Sequence, residues 1–371
     1  MTKNLPLNPL WESLGATLKT EKDWRIPSIF RDFHYEYTAV RKGVGLMDLS
    51  YRGKIEVTGK DRAAFLHNVL TNDIKSLLLG SGCYAALLSA AGKILLDMNV
   101  FVFANSILLD VEMDFEKKAA EVLGKLIIRE DVKLRDATGE CAHIALEGPR
   151  SEALAQALFA GPFPELTEHH HANFPMGEAD VTIVRQSRTG EKGYHLLIPA
   201  AGAAEVADRA LVVGKLYGLR PVGFGTSEIL RIEAGVLRYG VDMDESVTLS
   251  EAGLDAVAAS ETKGCYPGQE VVARIKTYGG LNRKIAGVTF PKTALPKAGD
   301  KIYSEGKEVG QITSACMSPT LDQGIAIGVL TKGFFGESKK VKIKSQGREI
   351  EADTTALPFT SLFRAAPRGS S

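Results

Sequence analysis

The chain has 371 residues, of which 44% are hydrophobic and 24% are charged, as is ordinary for a water-soluble globular protein of two or three domains. Its 45 basic and 45 acidic residues cancel, which excludes the strong positive field of a dedicated nucleic-acid-binding protein and gives no reason to expect an anionic membrane surface as a partner. Recognition must therefore depend on a local site.

The cysteine spacing bears on the compartment and on metals. Cys83, Cys141, Cys265 and Cys316 are far apart and form no CxxC pair, which favours a reducing compartment and predicts no bound metal. The first twenty residues lack a basic region followed by an apolar run, and the most apolar region, 94–111, contains four Asp and Asn residues. We therefore expect a cytoplasmic protein without a membrane span.

Taken in chain order, a lead-in over residues 1–33 is followed by a first α+β half over 34–136. Alternation of apolar residues predicts strands at 54–58, 84–89, 93–103 and 106–112. Apolar residues at helical spacing predict helices from Asp61 to about residue 70 and over 115–128. The predicted order is βαβββα.

Residues 137–240 repeat this pattern. The sequence VTGKDRAAFL at 57–66 can be aligned with LEGPRSEALA at 146–155, each being a strand, a glycine and a helix. Two such halves should pack about a pseudo-twofold axis with a ligand cleft between them, because pockets favour domain interfaces. The alternative is that the similarity reflects only generic strand, glycine and helix patterning.

The composition changes after residue 284. Six short β-rich runs alternate with turns such as SEGK at 304–307 and SQGR at 345–348. This spacing predicts a small β-barrel or sandwich over 285–364, followed by a disordered tail at 365–371. The predicted domains are thus the lead-in, a core over 34–284 and the C-terminal barrel.

The octapeptide KGCYPGQE at 263–270 belongs to the end of that core and is chemically unusual. Pro267 suits the first position of a helix that ends before Gly279. Cys265 would then lie at a helix N-terminus beside the Lys263 ammonium, and both features lower a thiol pKa. This predicts a nucleophilic or redox-active thiol; the alternative is an inert cysteine in a turn.

These residues carry a family resemblance. KGCYPGQE resembles the signature of the YgfZ-like folate-binding proteins, which are relatives of the aminomethyltransferase (T-protein) of the glycine cleavage system. Further matches cover nearly the whole chain and include GLMDLS at 45–50, LTND at 70–73, RTG at 188–190 and LRIEAG at 230–235. The resemblance implies a tetrahydrofolate-binding α+β core with a central cleft, followed by a C-terminal β-barrel.

Two departures bear on the branch of the superfamily. T-protein typically has two adjacent aspartates where this chain has Leu96 and Asp97, and an Ala-Arg-Asp triplet where this chain has TSE at 226–228. Both departures and the octapeptide favour the YgfZ-like branch, which is linked to assembly or repair of iron–sulfur proteins. Against this, Asp97 is retained, and Glu191 matches the glutamate that holds the pteridine in T-protein.

A pterin requires a carboxylate for its amino and ring N–H groups, apolar walls, and cations for its glutamate tail. The resemblance and these requirements give a set of candidate folate-binding residues: Glu191, Tyr84, Leu88, Arg188, Tyr194, Arg231 and Glu112, with Asp110 as the alternative to Glu112. For the three wall candidates in strands, the alternative is ordinary strand packing. For the two arginines, it is pairing with local acids.

The tract of three histidines at 169–171 resembles a metal-binding sequence. It lies in a proline-bounded loop, so we interpret it as solvated surface. The cysteines other than Cys265 lie in apolar strands and are predicted to be core residues.

Three functions follow as hypotheses. The first is a tetrahydrofolate-binding protein that supports iron–sulfur client or assembly proteins through Cys265, with Asp97 and Lys263 as the other catalytic candidates. The second is an aminomethyltransferase that transfers a one-carbon unit to tetrahydrofolate, with a lipoylated carrier protein as partner. The third is a folate-sensing scaffold that catalyses nothing.

Overall fold

The computed structural model describes residues 2–159 and 162–359. The described residues divide into two compact units, each discontinuous in sequence. Among the described residues, the first unit comprises 2–87, 96–159, 162–227 and 258–266, and the second comprises 88–95, 228–257 and 267–359. The predicted disordered tail at 365–371 lies outside the described residues.

The first unit begins with a small sheet that the sequence analysis did not predict. Its elements are β1 (Lys3–Asn4), α1 (Asn8–Ser13), β2 (Thr17–Glu21) and β3 (Trp24–Ile29). β3 lies in the middle, parallel to β1 and antiparallel to β2. These strands are short and Pro27 interrupts the third, so neither a long alternation nor a clean helical period marks them in the sequence.

The first α+β half follows the predicted order. Its elements are α2 (Phe33–Lys42), β4 (Val44–Asp48), β5 (Gly53–Thr58), α3 (Arg62–Val69), β6 (Gly82–Leu88), β7 (Ile94–Val102), β8 (Ile107–Val111), α4 (Glu116–Leu126) and β9 (Lys133–Asp136). Five of the strands form one sheet in the order β6-β7-β8-β5-β9. Asp32 begins α2 by accepting a hydrogen bond from the backbone N–H of Tyr35, as an N-cap residue does.

The second half repeats the pattern. Its elements are β10 (Cys141–Glu147), α5 (Ser151–Leu158), β11 (His171–Met176), β12 (Ala179–Arg185), β13 (Gly193–Pro199), α6 (Ala203–Gly214), β14 (Leu219–Val222) and α7 (Phe224–Glu233). The sheet order is β11-β12-β13-β10-β4-β14, so β4 pairs with the second half although it precedes the first sheet in the chain.

Period-two alternation gives each strand of this second sheet an apolar face and a polar face. On β10 the apolar side carries Ala142, Ile144 and Leu146, which pack with α5 and α6 in a large buried core. The opposite side of the same strand carries His143 and Glu147. At about 25 cal/mol per Å² of buried apolar area, such a core supplies most of the stabilisation of this half.

The second unit contains a closed six-stranded barrel. After α8 (Leu249–Ala252), α9 (Asp255–Ala258) and α10 (Gln269–Tyr278), the strands are β15 (Arg283–Phe290), β16 (Lys301–Ser304), β17 (Lys307–Ser318), β18 (Gln323–Thr331), β19 (Lys340–Ser345) and β20 (Arg348–Thr355). All neighbours are antiparallel, in the order β15-β18-β17-β16-β19-β20. The predicted fold class, two α+β halves followed by an all-β barrel, is confirmed.

Candidate functional site

The polar face of the five-stranded sheet concentrates ionisable groups in the first unit. On β7, Leu96 and Met98 are buried on one face, and alternation places Asp97 and Asn99 on the other. Neighbouring strands and the turn before β5 add charged and phenolic side chains that contact this face: Arg52, Lys54, Tyr84, Asp110 and Glu112.

Asp97 and Tyr84 form a hydrogen-bonded pair. The Tyr84 hydroxyl donates to Oδ2 of Asp97 across 2.6 Å. Burial raises the pKa of the Asp97 carboxyl to about 6, although the Tyr84 hydrogen bond and the Arg52 charge favour the ionised form. Burial and the Asp97 charge raise the pKa of the Tyr84 phenol well above its ordinary value, so Tyr84 remains a donor. Asp97 can therefore exchange a proton near neutral pH, as acid–base chemistry requires.

Arg52 organises the negative charge on this face. Its Nε donates to both carboxylate oxygens of Asp110, at 3.0 and 2.9 Å, and its Nη1 donates to Glu112 Oε2 at 2.7 Å. Lys54 Nζ lies 2.9 Å from Asp110 Oδ1. Burial alone would raise the pKa of Asp110, but Arg52 and Lys54 outweigh it and hold this pKa well below its usual range. Asp110 is therefore ionised, and Arg52 compensates its charge.

Glu147 fixes the turn that carries the RTG sequence. This carboxylate is completely buried and accepts hydrogen bonds from the backbone N–H groups of Arg188 and Thr189, at 3.0 and 2.9 Å, and from the Thr189 hydroxyl at 2.6 Å. Burial alone would raise the pKa of Glu147, but the hydrogen bonds and the contact with His195 lower it. The Ser187 hydroxyl donates to the same carboxylate at 3.3 Å, so the turn is held by a buried charge and four donors.

Two histidines continue this network. His195 Nε2 lies 3.0 Å from Glu147 Oε1, and His195 Nδ1 lies 3.0 Å from His143 Nε2. Because Glu147 accepts, His195 carries its proton on Nε2, and His143 then donates through its own Nε2. Burial lowers the pKa of both imidazoles, so both are neutral at neutral pH. The remaining nitrogen, His143 Nδ1, has no hydrogen-bond partner among the described residues and lies 3.9 Å from Asp110 Oδ1.

The sequence analysis did not single out Arg52, His143, Glu147 or His195. A signal for the pair on β10 exists, because His143 and Glu147 are four positions apart in an otherwise apolar strand and so share one face. Polar residues at that spacing in an apolar strand mark a buried polar layer.

The folate candidates near the RTG turn occupy two environments. Glu191 is partly exposed, and its Oε1 accepts from Arg41 Nη1 at 2.9 Å. Arg188 Nη2 lies 3.8 Å from Glu112 Oε2, the carboxylate that also binds Arg52. The first unit thus brings Arg188 and Glu112 together, and groups Tyr84 with Asp97.

Tyr194 and Leu88 are not open pocket walls. Tyr194 is 2% exposed on the core face of β13, where its ring meets Phe163 edge-on and its hydroxyl donates to Glu152 at 3.2 Å. The alternation that places His195 in the polar layer directs Tyr194 into the apolar core. Leu88 is also buried at the end of β6. For Tyr194 the prediction of a pocket wall is therefore wrong, and strand packing is its role.

Arg231, in the second unit, pairs with local acids. Its Nη1 donates to Asp242 Oδ2 at 2.5 Å, and its Nη2 donates to Glu228 at 3.0 Å and to Ser314 at 2.8 Å. With all these acceptors in place and 2% of its surface exposed, Arg231 joins α7 to the barrel within this unit. The prediction that Arg231 binds the glutamate tail of folate is therefore replaced by the alternative, in which it pairs with local acids.

Lys263 anchors the octapeptide. Its buried ammonium donates to the backbone carbonyls of His67 and Leu70, at the C-terminal end of α3, where cations stabilise the exposed carbonyls. Burial lowers the pKa of Lys263 to about 8. The sequence analysis expected the Lys263 ammonium to lie beside the Cys265 thiol. The ammonium instead contacts the carbonyls at the end of α3.

Cys265 itself is exposed. The predicted helix start at Pro267 is wrong, because α10 begins at Gln269 with Gly268 as its N-cap in the left-handed region, at φ +79°. A Cβ at Gly268 would lie 2.5 Å from the Ser89 carbonyl, so both the backbone angle and the space favour glycine there. The predicted end of the helix before Gly279 is confirmed.

The histidine tract is not a solvated surface. His169 and His171 are buried, and the His171 ring lies 4.6 Å from that of Phe103 between centroids. Burial lowers the pKa of His171 to about 4, so it is a neutral packing residue.

Within residues 2–159 and 162–359, no group of three or more His, Cys, Asp or Glu side chains is arranged to hold a metal ion. In the same residues, no helix has the length and apolar character needed to cross a membrane.

Two family models together cover most of the chain. The GCVT N-terminal domain matches residues 7–262, and the glycine cleavage T-protein C-terminal barrel domain matches residues 283–360. The chain belongs to the glycine cleavage T-protein family. The superfamily expected from the sequence is thus confirmed, whereas these matches do not distinguish a YgfZ-like member within it.

Members of this family resemble the chain along almost its full length. A protein from Bacillus licheniformis named aminomethyltransferase is 29% identical over 361 residues, covering 97% of this chain and 99% of that relative. One of the same name from Desulfitobacterium hafniense is 30% identical over 359 residues, covering 94% and 96%. The crystal structure of glycine cleavage system aminomethyltransferase T from Bartonella henselae superposes with a TM-score of 0.87 at 24% identity, covering 97% and 98%, and shows the shared fold.

The structure also clarifies the first departure from T-protein. Leu96 is 1% exposed on the face of β7 opposite Asp97, so the two positions point to different environments. A carboxylate at position 96 would lie in the packed face of the sheet and not beside Tyr84. The replacement by leucine therefore leaves the Asp97 environment chemically intact. Of the two aspartates of the family pattern, the retained one faces the polar cluster.

Proposed function

We propose that this protein binds a tetrahydrofolate and transfers a one-carbon unit to it, as an enzyme of the aminomethyltransferase type. The observation that carries the proposal is the Asp97 carboxyl, which has a pKa of about 6, accepts a hydrogen bond from Tyr84 and lies on the Arg52 face. The names of the full-length relatives support the same function. This is the second of the three hypotheses raised by the sequence.

The side chains present fit a reduced folate. A pterin offers an amino group and ring N–H groups to carboxylates, and the partly exposed Glu191, whose Oε1 already accepts from Arg41, can accept from them. Arg188 is the remaining candidate for a carboxylate of the glutamate tail. Of the residues predicted to bind folate, Tyr84, Glu112, Arg188 and Glu191 stay in this proposal, and the buried Leu88 and Tyr194 leave it together with Arg231.

In the proposed reaction, tetrahydrofolate accepts the one-carbon unit and a lipoylated carrier protein delivers it. The role of Asp97 is to hold or move one proton at its carboxyl group, for which a pKa near the working pH is best suited. Tyr84 orients that carboxyl and stabilises its ionised form, and Arg52 offsets the charges of Asp110 and Glu112 so that they do not force Asp97 to stay protonated.

The test is direct. Purified protein, tetrahydrofolate and an aminomethylated lipoyl carrier protein should release methylene-tetrahydrofolate and ammonia. Asp97→Asn should lower kcat by about a hundredfold or more, in the range of a lost general acid or base, while calorimetry shows that tetrahydrofolate still binds. Cys265→Ala is the matched control and should retain full turnover. Release of no methylene-tetrahydrofolate by the wild type would refute the transferase proposal.

A second function is favoured by one specific observation. Cys265 is exposed within KGCYPGQE, the sequence that resembles the YgfZ-like signature, and the buried Lys263 holds this segment in place. An exposed thiol on an anchored segment is available to a protein partner. We therefore retain support of iron–sulfur proteins, with tetrahydrofolate bound and Cys265 as the functional thiol, as the alternative.

Complementation separates the two functions. A deletion strain carrying wild-type, Cys265→Ala or Asp97→Asn protein is assayed for iron–sulfur enzyme activities. Under the alternative, the alanine variant fails to restore those activities and the asparagine variant succeeds. Full restoration by Cys265→Ala removes the thiol role. If tetrahydrofolate binds but neither transfer nor restoration is seen, the folate-sensing scaffold remains.

A further inference from the structure

A basic groove lies on the surface of the first unit. It has a volume of about 420 Å³ and is lined on one side by α2 residues and on the other by residues next to α5 and β14. The basic groove is defined by its cationic and aromatic side chains: Lys42, Arg150, Arg220, Tyr35 and Tyr217.

The positive charge of this groove is locally uncompensated. No Asp or Glu lines it, and no ion pair between Lys42, Arg150 or Arg220 and an acid is formed within the described residues. The chain as a whole has a net charge of zero, so three clustered cations are a local excess and not part of a general basicity. Such a patch attracts a ligand that carries carboxylate or phosphate groups.

The two arginines are already held in position. The Arg150 guanidinium lies over the Tyr217 ring at 5.3 Å, and that of Arg220 lies over the Tyr35 ring at 5.4 Å. Stacking on tyrosine restricts each side chain, which lowers the entropy lost when an acid binds. Arg220 Nη1 also donates to the Leu219 carbonyl oxygen at 2.8 Å, so its remaining N–H groups are the ones that can contact a ligand. Tyrosine and arginine are also the residue types most enriched among the residues that dominate binding energy at protein interfaces.

The floor of the groove is backbone in close contact. A Cβ on Gly43 would lie 2.9 Å from the carbonyl oxygen of Gly218, which itself has φ +73°. Side chains other than glycine would therefore push the two walls apart. The floor of the groove is therefore formed by the close packing of the end of α2 against the turn before β14.

The exposure of the walls indicates the kind of occupant. Small-molecule sites enclose most of their ligand, whereas Lys42, Arg150 and Thr38 are exposed and leave this groove open on one side. A partner protein covers such a site with its own surface. We propose that the basic groove is a docking site for a carboxylate-rich segment of a partner protein, with Arg150 and Arg220 as the principal contacts.

The test uses fluorescence anisotropy with the full chain and a labelled peptide of alternating glutamate and glycine. The same peptide with glutamine in place of glutamate is the probe control. The acidic peptide should bind and the neutral one should not, with affinity falling as salt is raised. The triple variant Lys42→Ser, Arg150→Ser, Arg220→Ser should weaken binding at least about tenfold, equivalent to about 1.4 kcal/mol.

A matched variant exists on β19. Lys340, Lys342 and Lys344 are also three exposed cations, one of them lying over a tyrosine, but Lys342 is paired with Glu349 at 2.9 Å. Substituting these three lysines by serine should change the Kd of the peptide less than about twofold, because exposed charges that are already paired contribute little energy. Five of the six side chains are exposed and Arg220 is half-buried, so the unfolding temperature of both variants is measured beside that of the wild type.

Three outcomes overturn the proposal. The first is equal binding of the acidic peptide to the wild type and the groove variant. The second is tighter binding of a single-stranded oligonucleotide than of the peptide at the groove residues. The third is saturation of those residues by inorganic phosphate with no peptide binding, which would make the groove a small-anion site.

Discussion

The Tyr84 hydroxyl donates a 2.6 Å hydrogen bond to Oδ2 of Asp97, and this hydrogen bond acts on the pKa of Asp97 in the opposite direction to burial. Burial raises the pKa of Asp97, whereas the Tyr84 hydrogen bond and the Arg52 charge lower it, with a resulting pKa of about 6. A small change in either influence therefore moves the protonation of Asp97 across the pH range in which the protein works.

Removing the Tyr84 hydroxyl tests this balance. Tyr84→Phe deletes a hydrogen bond to the ionised carboxyl, so the pKa of Asp97 should rise by about 1 unit, given about 1.5 kcal/mol for such a bond. The measurement is an NMR titration of the carboxyl carbon of Asp97. In turnover assays the acid limb of the pH profile should move upward by the same amount. An unchanged titration would show that Tyr84 does not stabilise the ionised carboxyl.

Asp97 should also reduce stability at neutral pH. Its folded-state pKa of about 6 lies above the ordinary value of 3.8, so its favourable contribution is complete below pH 4 and is lost as pH rises through 6. Asp97→Asn should therefore raise the free energy of unfolding by about 1 to 3 kcal/mol at pH 7.5, and by much less at pH 4, since one pKa unit corresponds to about 1.4 kcal/mol. Denaturant titrations at the two pH values measure this. A variant that is less stable at pH 7.5 would contradict the assignment.

Much of the fold was predictable because its strands and helices are long and regular. The barrel strands and the βαβββα order of the first half appear in the sequence as clear alternation and helical spacing, and the structure has them within a few residues. The N-terminal sheet was not predictable, since its shortest strand has two residues. The insertion of β4 beside β10 depends on long-range strand pairing, which local sequence patterns do not predict.

The site was predictable only in part, for a related reason. Asp97 was found through a family resemblance, but sequence alone does not say which charges are paired. The sequence around Arg231 does not show its partners, because Asp242 lies 11 residues and Ser314 lies 83 residues further along the chain. Lys263 likewise finds its acceptors at the end of α3, almost two hundred residues earlier. Long-range partners of this kind decide whether a charged side chain is structural or free to bind.

The Arg52 cluster should be essential for stability. Arg52→Met leaves Asp110 and Glu112 buried with less compensating charge, which should lower the free energy of unfolding by about 3 to 5 kcal/mol at pH 7. Because Arg52 and Lys54 hold the pKa of Asp110 below its ordinary value, the stabilisation from its charge is present above that value and is lost on acidification. The difference between variant and wild type should therefore shrink toward pH 3.

Arg135 provides the matched control for this experiment. It pairs with Glu56 and Glu140 at the surface, where half of its side chain is exposed. Arg135→Met should lower the free energy of unfolding by less than about 1 kcal/mol, as is usual for exposed ion pairs. Equal losses for the two variants would show that burial does not amplify the Arg52 interactions.

The last prediction concerns Glu147 and the RTG turn. Glu147→Gln keeps the size of the side chain but removes the charge that accepts from Arg188 and Thr189, so the turn should lose order. Under the proposed function, the Kd for tetrahydrofolate should rise about tenfold, equivalent to about 1.4 kcal/mol, while kcat at saturation changes little. Glu140→Gln, at an exposed position, is the control and should leave both unchanged. A loss of kcat at unchanged Kd would instead place Glu147 in the chemical step, because a residue that only positions the turn acts on binding.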